Sequence, residues 1–267
     1  MYHLHAVSAG QVHICGHRGH SKEFPENTMA AFAGAVDLGA SALEIDVVMS
    51  GDGEIVVLHD ITLDRTTDGF GLAESFTADE ITRLDAGSHH HPRFAGEKVP
   101  LLRDVLEFAQ EHSVGLHTEI KDFKNEDALI GRLAALLNET GAHDFFVALS
   151  FDHVQLSKAK DRIPGLRTEG ITHARHVDPA ALVFGAGLDS VSVEAERFRA
   201  EDGRAIHDAG VAIRCHLPAP HKIESLQRYG RDVRTTVGAW IEEGVVDCLS
   251  GDDVGYLRAL VDDFSPG

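Results

Sequence analysis

The chain has 267 residues, 43% of them hydrophobic and 25% charged, which suits one α/β barrel or two small domains around a sizeable core. Its 43 Asp and Glu against 24 Lys and Arg give a formal net charge of -19, which argues against nucleic acid or an anionic membrane as the main partner. Any anionic small molecule must then meet positive charge supplied locally by its site.

No apolar run approaches the roughly 20 residues of a membrane span, so no membrane insertion is expected. Met1 to Ala6 has no basic region followed by an apolar one, so no secretory signal is expected. Cys15, Cys215 and Cys248 are far apart and form no CxxC pair, which suits reduced, buried thiols in a cytoplasmic protein.

In chain order, Val12 to Cys15 reads as a first buried strand closed by Gly16. Pro25-Glu26-Asn27-Thr28 carries helix-start residues, with Asn27 read as a helix cap, and Met29 to Leu38 has helical spacing with Gly39 as a stop. Leu43 to Val48 is a second strand; Ser50 to Gly53 is a turn, and Glu54 to Leu58 returns as a hairpin arm. The pattern loosens over about 61–99 and holds one short helix signal, the capping-box spacing of Thr77 and Glu80. A stretch of this length is an insertion with a function rather than an ordinary loop.

Alternation then resumes. Strands are expected at Val114 to Ile120, Phe145 to Ser150, Leu166 to Ile171, Leu188 to Val193, Val211 to Cys215 and Val245 to Leu249. Helices are expected at Leu102 to Glu111, Glu126 to Thr140, His153 to Arg162, Pro179 to Phe184, Arg199 to Ala209, Ile223 to Glu243 with a break near Gly230, and Val254 to Val261. Eight repeated βα units in this length predict a (β/α)8 TIM barrel, with residues 1–267 as one domain and an insertion after the second strand; an open doubly wound sheet is the rival.

Barrel active sites lie at the C-terminal ends of the strands. His17, Glu44, Asp46, His59, Glu119 and Lys121 all fall there, and Glu44 and Asp46, two apart in a strand, share one face. Three carboxylates without a cysteine make an oxygen-rich site for a hard divalent ion such as Mg²⁺, Ca²⁺ or Mn²⁺; no HExxH occurs, and zinc is disfavoured. Arg18 and Lys121 beside such an ion suit a phosphate. His17 and His59 suit general acid and base, with the assignment between them open. The structural alternatives are neutralisation of Glu44 and Asp46 by core cations, and a rim ion pair between Glu119 and Lys121. His89-His90-His91 reads as a solvated part of the insertion.

These residues resemble the glycerophosphodiester phosphodiesterase family. The resemblance runs through His17-Arg18-Gly19, Pro25-Glu26-Asn27-Thr28, Glu44-x-Asp46, Asp52-Gly53, His59-Asp60, Arg65-Thr66-Thr67 with Gly69, and Leu84-Asp85-Ala86-Gly87. It continues through Phe94-x-Gly96-Glu97-x-Val99-Pro100-x-Leu102, Glu119-Ile120-Lys121 and Ser150-Phe151-Asp152. It implies a (β/α)8 barrel with a small insertion and hydrolysis of small glycerophosphodiesters to glycerol 3-phosphate and an alcohol. It implies His17 and His59 as the acid/base pair, Glu44, Asp46 and Glu119 as metal ligands, and Arg18 and Lys121 as phosphate ligands. The second half is less similar: Arg214-Cys215-His216-Leu217 stands where Trp-Thr-Val-Asn is frequent, Ser250-Gly251-Asp252-Asp253 where Thr-Asp-x-Pro is common, and Pro218 to Thr236 is long and polar. A sugar-bearing phosphodiester as substrate, a barrel isomerase or aldolase, and a non-catalytic phosphodiester-binding barrel are the alternatives.

Overall fold

A computed structural model describes residues 1–122 and 124–265. Among the described residues, eight parallel strands form a closed ring. They are β1 (His13–His17), β2 (Ala42–Met49), β4 (Gly115–Ile120), β5 (Phe146–Ser150), β6 (Thr168–Thr172), β7 (Ser190–Glu194), β8 (Ala212–His216) and β9 (Cys248–Gly251). Each pairs with the next in that order, and β1 closes the ring on β9, with Cys15 opposite Ser250. The ninth strand, β3 (Ile55–Val57), runs antiparallel to the end of β2. This is the (β/α)8 barrel that the alternation predicts.

Helices α1 (Met29–Asp37), α3 (Leu102–His112), α4 (Glu126–Thr140), α5 (His153–Arg162), α6 (Pro179–Gly185), α7 (Ala200–Asp208), α8 (Pro220–Arg228), α9 (Val233–Glu242) and α10 (Val254–Phe264) cover the ring. Their starts are written locally. Asp152, Asp178, Asp232 and Asp253 each accept a backbone N–H of the first turn of α5, α6, α9 and α10. The short α2 (Ala78–Ile81) has the capping box expected of Thr77 and Glu80. The break near Gly230 separates α8 from α9.

Boundaries differ where pairing extends a strand. The first strand runs to His17 rather than Cys15, because Cys15 to His17 pair with β2. The second runs to Met49, because Val47 to Met49 carry β3, so Asp46 sits within the strand rather than near its end. The insertion packs a small core of its own, with Leu63, Ala73, Ile81 and Ala86 against Val48, Val56 and Leu58.

The main core lies between strands and helices. Inside the ring, Tyr2, Cys15, Ala42, Val147, Leu149 and Cys248 fill the lower end. Above them the interior is polar. Tyr2 Oη lies 3.0 Å from His117 Nε2, and His117 Nδ1 donates to Glu169 Oε2 at 3.1 Å. Arg214 Nε donates to Glu169 Oε1 at 2.6 Å, and Arg214 NH1 to Ser250 Oγ at 3.0 Å.

Burial works to raise the Glu169 carboxyl, but the Arg214 charge and the hydrogen bonds from His117 and Arg214 hold it down to about 2. Its contribution to stability is therefore complete above the ordinary carboxylate range and is lost as pH falls through about 2. Removing one partner leaves the other charge buried alone. We expect Glu169→Gln to cost about 3–5 kcal/mol in urea unfolding, and Glu169→Leu with Arg214→Met to cost less than the single change. An unchanged unfolding midpoint for Glu169→Gln would show that Arg214 finds compensation elsewhere.

Candidate active site

At the C-terminal end of β1 the chain makes a tight turn. Arg18 and Asn27 both have positive φ, 55° and 58°, in the left-handed region that non-glycine residues seldom adopt. The turn is held by Asn27 N–H donating to Arg18 O at 3.0 Å and Arg18 N–H donating to Glu44 Oε2 at 3.1 Å. Gly19, at φ 85°, lies against α1 so closely that a Cβ would sit 2.6 Å from the Ala31 carbonyl carbon. The backbone conformation thus brings Arg18 to the acids of β2.

Asn27 departs from its expected role. Thr28 caps α1, and Asn27 clamps Asp46: its Nδ2 donates to Asp46 Oδ2 at 2.9 Å, and its Oδ1 accepts from Asp46 N at 3.3 Å. The clamp fixes one carboxylate oxygen and leaves the other, Oδ1, buried and, among the described residues, without a hydrogen bond.

Glu44, Asp46 and Glu119 converge, each buried, with one oxygen apiece within 4.8 Å of the others. Burial, with repulsion from Asp46, raises the Glu44 carboxyl; burial and both other acids raise Glu119. Asp46 is lowered despite its burial, because Arg18 and Lys121 face it. The two cations lie against the acids themselves. Arg18 Nε is 3.1 Å from Asp46 Oδ2, while Lys121 Nζ is 2.8 Å from Glu119 Oε1 and 3.4 Å from Asp46 Oδ1. An oxygen-only donor set, with one buried oxygen held by an ion pair alone, fits a hard divalent ion.

Both histidines are oriented by carboxylates that sequence reasoning did not single out. His17 Nδ1 donates to Asp252 Oδ1 at 2.7 Å, which turns Nε2 toward Glu44 Oε2 at 3.9 Å. His59 Nδ1 donates to Asp60 Oδ1 at 2.5 Å. Asp60 is held down to about 2, first by its bonds from Arg65 and then by His59. Arg65 in turn bridges to Glu26, whose other contact is Arg18 NH1 at 2.9 Å. His59, Asp60, Arg65, Glu26 and Arg18 therefore belong to one connected rim. Asp60 could have been found from its place beside a run-end histidine; Asp252, 235 residues from His17, carries no local signal. Among the described residues, His89, His90 and His91 are exposed and join no group with metal-ligand spacing.

The model of the glycerophosphoryl diester phosphodiesterase family matches residues 17–235. The chain belongs to the glycerophosphoryl diester phosphodiesterase family. It is a phosphoric diester hydrolase by that membership. A glycerophosphodiester phosphodiesterase of Caldanaerobacter subterraneus subsp. tengcongensis is 37% identical over 167 residues, which is 62% of this chain and 69% of the relative. The crystal structure of a glycerophosphodiester phosphodiesterase from Agrobacterium tumefaciens is similar over 93% of this chain and 100% of that one, with a TM-score of 0.78 and 26% identity. A phosphodiesterase of Oleispira antarctica, solved with sn-glycerol-3-phosphate, shares the fold over 96% of this chain and 99% of its own, with a TM-score of 0.79 and 24% identity. The matched span of the glycerophosphoryl diester phosphodiesterase family includes both histidines and all three clustered acids.

Proposed function

We propose that this chain hydrolyses glycerophosphodiesters to glycerol 3-phosphate and an alcohol, as one phosphodiesterase domain over 1–267. The observation that carries the reading is the juxtaposition of three buried carboxylates with a histidine whose Nδ1 is tied to a carboxylate and whose Nε2 faces them. Glu44, Asp46 and Glu119 would hold a divalent ion, Mg²⁺, Ca²⁺ or Mn²⁺, which when bound supplies positive charge to the phosphate and acidifies a nearby hydroxyl. His17 and His59 serve as the acid/base pair. With Nδ1 committed to Asp252 or Asp60, each ring exchanges protons through Nε2 alone. Arg18 and Lys121 face the non-bridging phosphate oxygens and stabilise charge there. Three cysteines, buried and free among the described residues, support the reading of a reducing compartment such as the cytoplasm. Among the described residues, no helix is long and apolar enough to cross a membrane.

The glycerol hydroxyl adjacent to the ester is the nucleophile in this reading. Its oxygen attacks phosphorus while one histidine takes its proton. The bond from phosphorus to the head-group oxygen breaks, and the other histidine protonates the departing alcohol. Water then opens the five-membered cyclic phosphate with the proton transfers reversed, which leaves phosphate on glycerol. An internal nucleophile avoids much of the entropic barrier of an external one. We expect an analogue lacking that hydroxyl to be cleaved slower by on the order of 10² or more. Phosphorus NMR of the two reactions is the check: equal rates rule out the cyclic route, and phosphate released on the head group overturns the cleavage side.

A sugar-bearing diester is the second reading. The observation in its favour is an open cleft of about 390 Å³, lined by the α8–α9 excursion with Ala195, Pro218 and Trp240, which lies beside the ends of β7 and β8 and shares no residue with the acid cluster.

A further inference from the structure

The polar interior of the barrel does not end at Ser250. Its hydroxyl lies 3.1 Å from Nδ1 of His216, the last residue of β8. His216 is partly exposed, and its ring packs edge-to-face on His17, with centroids 4.8 Å apart and planes at 65°. A hydrogen-bonded chain thus runs from Tyr2 through His117, Glu169, Arg214 and Ser250 to a histidine beside the proposed acid/base residue.

The proton on His216 follows from this chain. Arg214 can only donate, so Ser250 Oγ accepts from it at 3.0 Å. Among the described residues, the remaining partner for the single hydroxyl proton of Ser250 is His216 Nδ1. Nδ1 is then the acceptor, and the ring carries its hydrogen on Nε2, across the ring from the buried chain. Burial, and then the neighbouring His17 and Arg214 charges, push His216 down to about 3, so the ring stays neutral. Asp252, which opposes that shift, is engaged by His17.

We propose that His216 is a substrate-contacting residue of this site, whose Nε2–H donates a hydrogen bond to an oxygen of the substrate group lying against His17. The inference rests on the phosphodiesterase reading of the site. A neutral donor suits a hydroxyl or ester oxygen, whether it belongs to glycerol or to the head group, and adds no further positive charge next to His17. Ser250, Arg214 and Glu169 are positioning residues that act through it.

The test uses the metal-loaded enzyme and glycerophosphodiesters carrying ethanolamine, choline, glycerol or inositol. His216→Phe keeps a ring against His17 and removes the donor; His216→Gln keeps an N–H donor. We expect His216→Phe to lose about fivefold to tenfold in kcat/KM on at least one diester and His216→Gln to regain part of it. A loss that vanishes for the analogue lacking the glycerol hydroxyl places the bond on glycerol. A loss that vanishes for head groups without hydroxyls places it on the head group. Nitrogen-15 NMR of the wild-type protein adds a readout that needs no variant, with His216 expected as the neutral Nε2–H tautomer from pH 6 to 8. A His216→Phe enzyme equal to wild type on every diester, or a His216 ring protonated on Nδ1, overturns the inference alone. A wild-type enzyme that cleaves none of the diesters overturns the phosphodiesterase reading, and the inference with it.

Discussion

Chelation abolishes turnover, and added Mg²⁺, Mn²⁺ or Ca²⁺ restores it: this is the largest effect expected of the chain. Glu44, Asp46 and Glu119 are 2%, 0% and 7% exposed, with one oxygen each within 4.8 Å of the others. Buried anions at that spacing repel, and their desolvation is costly unless cations compensate. Arg18 and Lys121 compensate in part: they hold Asp46 down, while Glu44 and Glu119 remain raised. In the proposed reading, a divalent ion held by the three acids would relieve that repulsion and free Arg18 and Lys121 to face a phosphate. Glu44→Gln removes one anionic ligand, so more metal should be needed for half-maximal rate, with turnover recovering at high metal concentration. Metal should also raise the melting temperature of the wild type, since it binds only the folded cluster. Full activity in rigorously metal-free protein would sink the assignment.

Loss of either histidine is expected to slow turnover by on the order of 10² to 10⁴ for a diester with a poor leaving group. The geometry supports this for each ring separately, because Asp252 and Asp60 fix the tautomer and orientation of His17 and His59. One ring must be neutral and the other charged, so the rate should be bell-shaped in pH. Burial works to lower His17, but Glu44 and Asp252 together raise it above its ordinary value. Asp252→Asn removes an anion that favours the imidazolium, so the His17 limb of the profile should move to lower pH. An activated leaving group should partly rescue the alanine variant of whichever histidine is the acid, which assigns the two roles. Near-native rates in both His17→Ala and His59→Ala, with the fold intact, would withdraw the pair from catalysis.

The barrel was legible in the sequence because its signals are local. Apolar runs of strand length alternate with helical periodicities, and ionisable residues close the runs where a parallel barrel exposes strand ends. That pattern by itself brought His17, Glu44, Asp46, His59, Glu119 and Lys121 to one mouth, and the structure groups the three acids with Arg18, Lys121 and His17 around them. Alternation tells which face a side chain takes. It does not tell which residue lies across the ring.

That second question was decided by tertiary structure. Asp252 meets His17 because β9 closes on β1, joining the last strand to the first. His216 meets His17 and Ser250 for the same reason, through the pairing of β8 with β9. Asn27 looked like a cap because its sequence neighbours start a helix, yet the left-handed turn from Arg18 aims it at Asp46. Glu169 and Arg214 lie 45 residues apart in the chain, on β6 and β8, and only the closed ring puts them 2.6 Å apart. Periodicity is set by a residue and its near neighbours along the chain. The partners that orient this site come from ring closure, which no local window contains.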